Sequence, residues 1–78
     1  MKKETKVEIE WIDSSCREGW RDTSDYQEWN KKHLFTRSLG YVWQDSKEVI
    51  VIVQSYTPDQ IDNQLCIPKS AIKRMRKL

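Results

Sequence analysis

The chain has 78 residues, a length that buries only about 60–65% of its unfolded surface and leaves no apolar material for a second core, so one domain spanning 1–78 is expected. A third of the residues are charged, 14 basic against 12 acidic, and a net charge of +2 makes no overall electrostatic case for nucleic acid or membrane. The N-terminal residues lack an apolar signal-type core, no stretch is long and apolar enough to span a bilayer, and two cysteines do not make a disulfide scaffold, so a soluble, reduced, cytoplasmic protein is expected.

Residues 6–13 alternate, placing Val7, Ile9 and Trp11 on one face of a first strand and Glu8 and Glu10 on the other. Small polar residues and Gly19 make 14–19 a loop. Ser24 with Gln27 three residues later fits a capping box, and Tyr26, Trp29 and His33 share one face of a short predicted helix over 25–33. Residues 34–44 return to strand composition, with Gly40 as a bend, Asp45-Ser46-Lys47 as a turn and 48–56 as the returning strand. That third strand contains the run Val49-Ile50-Val51-Ile52-Val53, apolar on both faces. Turn chemistry at Thr57-Pro58-Asp59 and Asp62-Asn63 predicts a second loop before a fourth strand at 64–67. Cys66, flanked by Leu65 and Ile67, reads as a small core residue. After Pro68 the spacing permits either a 3₁₀ turn and a fifth strand or a helix using Ala71, Ile72, Met75 and Leu78. The turn and strand are favoured, because closing a small barrel requires a fifth strand paired with the first. Lys77 and Leu78 read as a frayed end.

Four segments together resemble a known group: Glu10-Trp11-Ile12-Asp13, Gly19-Trp20, Ser38-Leu39-Gly40-Tyr41 and Ile67-Pro68-Lys69-Ser70-Ala71-Ile72. The chain is similar over most of its length to an uncharacterised family of small bacteriophage and prophage proteins. These carry a glycine-aromatic hairpin and end in an isoleucine-proline-basic run followed by a short basic strand. The resemblance implies an SH3-like or Sm-like barrel with a 3₁₀ turn before the last strand, and implies no particular activity. Thr36-Arg37 is more polar than that pattern.

The expected fold is therefore all-β, a small five-stranded SH3-like barrel with a short helix in the first long loop. Its expected core is Val7, Ile9, Trp11, Leu39, Tyr41, Val51, Val53, Leu65, Ile67 and Ile72. With Val49, Val51 and Val53 turned inward, Ile50 and Ile52 would need cover from a second copy, which predicts a homo-oligomer through those two residues.

Charge is unevenly spread. Between Glu4 and Glu28 the acids dominate, whereas the final ten residues hold Lys69, Lys73, Arg74, Arg76 and Lys77 and no acid. Lys69, Lys73, Arg74 and Arg76 could track a phosphate backbone, with stacking from Trp43 or Tyr41. Equally, Lys73 or Arg74 could lie opposite Glu8 or Glu10 across the first and last strands. Four tryptophans and three tyrosines are more than so small a core hides easily. Trp20 on the loop and Trp29 on the helix are the candidate anchors for a protein partner, or else they pin the long loop onto the barrel.

Enzymatic chemistry is not expected. Cys16, His33 and Cys66 lack the paired spacings of a zinc site. Cys16 or Ser15 with His33 lacks an orienting third group. Asp22, Asp25 and Glu28 read as acids favoured at a helix N-terminus, and two glycines cannot form a phosphate-binding loop. No catalytic residue, metal or cofactor is assigned. The leading reading is a non-enzymatic interaction or adaptor module, and the alternative is a nucleic-acid-binding barrel that uses the basic last strand.

Overall fold

The computed structural model describes residues 1–13, 20, 22–23 and 35–78. Five strands follow one another: β1 (Lys6–Trp11), β2 (Thr36–Asp45), β3 (Val49–Tyr56), β4 (Ile61–Pro68) and β5 (Ile72–Lys77). A 3₁₀ turn at Lys69–Ala71 separates the last two. All are antiparallel in one sheet of order β4-β3-β2-β1-β5. The expected all-β class, the turn ahead of a fifth strand and the pairing of β5 with β1 are all present. The sheet is not closed, because β4 and β5 are its two edges and no ladder joins them. The loop predicted at 14–19 and the helix predicted at 25–33 lie outside the described residues.

Large residues on β1 meet small ones on β2. Val7, Ile9 and Trp11 stand opposite Gly40, Ser38 and Thr36, and the Trp11 indole Nε1 donates to Ser38 Oγ at 3.0 Å, so the buried ring keeps its polar atom satisfied. At Gly40 the strand changes partner. Residues 36–41 run along β1, whereas Tyr41 to Asp45 run along β3 with a bulge between Val42 and Gln44. A Cβ on Gly40 would sit 2.9 Å from the Val53 carbonyl oxygen and 3.2 Å from Ile52, so glycine allows the two partners to converge there.

Val7, Ile9, Trp11, Val42, Ile50, Ile52 and Ile67 form one buried cluster, with Leu65, Ala71, Ile72 and Met75 packed against it. Residues of β1 and β3 share this cluster although β2 separates the two strands in the sheet. The sheet must therefore curl over on itself.

The phase of β3 is opposite to that expected. Ile50 and Ile52 are 0% and 2% exposed, while Val49 and Val51 are only half-buried. A run that is apolar on both faces carries no alternation to choose by. The choice falls to the neighbours instead, with Ile52 opposite Val42 and Ile50 opposite Ile67. Val53 is buried as expected, but outside the central cluster. Because Ile50 and Ile52 lie in the chain's own core, the homo-oligomer expected through them loses its surface. The β2 assignments shift in the same way. Leu39 is exposed opposite Glu8, Tyr41 is half-buried, and Val42 is the residue in the core, because Gly40 facing Val7 sets the phase.

Element ends differ in detail. β1 stops at Trp11, and Ile12 instead donates its amide to the Ala71 carbonyl at 2.9 Å. β4 begins at Ile61, because the turn is complete in four residues: Thr57 N donates to the Gln60 carbonyl at 2.8 Å, and Gln60 N to Thr57 Oγ1 at 3.0 Å. Asn63 then continues the strand at φ 52°, in the left-handed region that asparagine tolerates. The C-terminus is tied down where fraying was expected: Lys77 is paired with Val7, and the Leu78 amide donates to the Lys6 carbonyl at 2.9 Å. No helix among the described residues is long and apolar enough to cross a membrane.

Candidate interaction surfaces

Four cations of the basic tail, Lys69, Lys73, Arg74 and Arg76, face the chain's own carboxylates. In the β1–β5 ladder Arg74 stands opposite Glu10 and Arg76 opposite Glu8. Arg76 Nε donates to Glu8 Oε1 at 3.0 Å, Arg74 lies 3.6 Å from Glu10, and Lys73 lies 3.9 Å from the same carboxylate. A register shift between Glu10 and Trp11 lets two β5 cations share Glu10. Lys69 pairs with Asp45 at 2.5 Å, and the N-terminal ammonium reaches the same carboxyl group. The hydrogen bond from Arg76, helped by the charges of Arg37 and Arg74, holds Glu8 below the ordinary glutamate range despite some desolvation. Lys69 and the terminal ammonium likewise hold Asp45 low. All four residues named as candidate phosphate contacts, Lys69, Lys73, Arg74 and Arg76, thus have an acidic partner within the chain.

Trp20 is fully exposed, so its ring does not pin the long loop to the sheet. Its companion Trp29 lies outside the described residues, as do Ser15, Cys16, Asp25, Glu28 and His33. Cys66 is exposed on β4 opposite Val51, not in the core, because the phase that buries Ile67 turns its neighbour outward. No three histidine, cysteine or acidic side chains among the described residues are placed to hold a metal ion.

A second aromatic surface lies on β2 and the end of β3. Tyr41 and Trp43 flank the buried Val42, and Tyr56 closes on both: its ring meets Tyr41 edge-on at 5.1 Å and Trp43 at 5.2 Å with a tilt of 45°. All three remain partly solvent-accessible. The N-terminal segment crosses beside them. Val42 N donates to the Thr5 carbonyl at 2.8 Å, Glu4 N donates to the Val42 carbonyl at 2.6 Å, and Glu4 takes φ 72° to make the turn. This path carries the Lys3 ammonium to 4.1 Å above the Trp43 ring, a cation–π contact, and Lys6 stands directly across the ladder from Tyr41. Tyr41 and Trp43 were legible as i, i+2 aromatics on one strand. Tyr56 and Lys3 were not, because the first arrives from a strand end and the second from a non-strand segment.

No protein-family model, no curated protein and no solved structure matches this chain.

Proposed function

We propose that the protein is a non-enzymatic interaction module, a small adaptor of the bacteriophage or prophage type that acts by contact with a protein partner. The observation that carries this reading is Trp20: a fully exposed tryptophan is the side chain most often found anchoring a partner surface. Trp29, nine residues on in the same segment, is proposed as the second anchor. The pairing of Lys69, Lys73, Arg74 and Arg76 with Asp45, Glu10 and Glu8 favours this reading over one in which the basic tail grips a phosphate backbone.

As the scaffold we propose a partly open SH3-like barrel. The exchange of partners along β2, the core shared between β1 and β3, and the short 3₁₀ link between the two edge strands all support it. Fold analogy of this kind leaves the function to be argued from the surface. The test is affinity capture from the native host with wild type, Trp20→Ala with Trp29→Ala, and Lys73→Glu with Arg74→Glu. A partner kept by wild type and the charge variant but lost by the tryptophan variant, with thermal unfolding unchanged, is the expected result. Retention of the partner by the tryptophan variant would contradict it.

A further inference from the structure

We infer that the Tyr41, Trp43 and Tyr56 surface, with Lys3 and Lys6, is a binding platform for single-stranded nucleic acid, separate from the Trp20 segment. Three features meet there. Tyr41 and Trp43 are two residues apart on β2, either side of the buried Val42, which sets both rings on the face away from the core. Tyr56 packs against both and fixes the arrangement before any ligand arrives, so little ordering remains to be done on binding.

The charge of Lys3 and Lys6 is of the right sign. Lys3 and Lys6 make no ion pair among the described residues, in contrast to the cations of β5 that face Glu8 and Glu10. Lys3 lies over the Trp43 ring, and a base stacking on that face would release its ammonium to a neighbouring phosphate. Base stacking on aromatic rings needs no particular sequence, and cations beside the rings supply the salt-dependent part of the affinity. A duplex conceals the base faces that such a platform would use, so single strands are the expected ligand. The tail residues proposed from the sequence for this role are displaced by the lysines of the N-terminal segment.

The test is fluorescence anisotropy with a labelled oligothymidylate and with its duplex, at low and at physiological salt. Wild type should bind the single strand more tightly than the duplex and lose affinity as salt rises. Trp43→Ala should weaken binding about tenfold, as removal of one stacking ring does. Trp43→Leu, which keeps the apolar bulk, should weaken it comparably. Lys3→Glu with Lys6→Glu, at two exposed positions, should weaken it and flatten the salt dependence. Lys73→Gln with Arg74→Gln and Trp20→Ala should leave it close to wild type. Absence of binding at low salt, preference for the duplex, or loss confined to the β5 variants would each overturn the inference. None of these outcomes bears on capture of a protein partner by Trp20.

Discussion

At the scale of single residues, two positions show how side-chain size is matched across the curled sheet. Gly40 lies where β1 and β3 both reach β2, and its missing Cβ leaves 2.9 Å to the Val53 carbonyl oxygen. Backbone cannot move aside as a flexible side chain can, so Gly40→Ala should destabilise the protein by about 1–3 kcal/mol, as overpacking does. Urea unfolding with an unchanged slope is the measurement. Ser38 Oγ accepts the hydrogen bond of the Trp11 indole. Ser38→Ala leaves a buried donor unpaired and should cost about 1–3 kcal/mol, whereas Ser38→Thr keeps the hydroxyl and should cost less. From the sequence Gly40 could be read only as a bend and Ser38 only as a polar strand position. Their roles depend on what stands opposite, and a single strand does not say what its partner is.

At the scale of elements, β1 and β5 are held by charge as well as by the ladder. The pairs are exposed on the cation side, so solvent and salt screen them and each contributes little. The sign of their pH dependence follows from the carboxylates. Glu8 and Asp45 have folded-state pKa values below those of the unfolded chain, so each contributes stability that is present above the ordinary carboxylate range. That contribution is lost as pH falls through this range toward the folded values. The midpoint of thermal unfolding should therefore drop as pH is lowered below about 4, and Arg76→Ala with Lys69→Ala should flatten that drop. An equal drop in the double variant would remove these pairs as its cause.

The ladder also shows where sequence reading succeeds and where it stops. β1 was legible because Val7, Ile9 and Trp11 alternate with Glu8 and Glu10, and the opposition of Glu8 and Glu10 to the basic tail was one of two readings weighed. β3 was legible as a strand but not in phase, because Ile50 and Val51 are equally apolar and only Val42 and Ile67 decide between them. The exposure of Trp20 was legible because it follows a stretch that is loop by composition. The Tyr56 contact, made by a strand end reaching toward another strand's rings, has no local signature.

At the scale of the whole molecule, an open sheet must protect its two edges. β5 carries Lys73, Arg74, Arg76 and Lys77, and cations along an edge discourage pairing with another copy. β4 carries Asp62, the left-handed Asn63 and Pro68, which lacks a ladder donor. With the edges blunted and Ile50 and Ile52 internal, Ile50→Asp should unfold the chain, since an unpaired buried charge costs several kcal/mol. A folded, monomeric Ile50→Asp variant by circular dichroism and light scattering would instead restore these residues to an interface between copies.

The division of charge decides which surfaces are left for partners. With Lys73, Arg74 and Arg76 paired to β1 and Lys69 to Asp45, the surfaces proposed for partners are Trp20 and the aromatic cluster beside Lys3. The most direct measurement is an NMR titration of the Glu8 carboxyl carbon in wild type and in Arg76→Ala. Glu8 should titrate below the ordinary glutamate range in wild type and return toward it when Arg76 is removed. An ordinary, unchanged titration in both proteins would mean that the β5 cations are free, and would return the basic strand to the position of leading candidate for a phosphate-bearing partner.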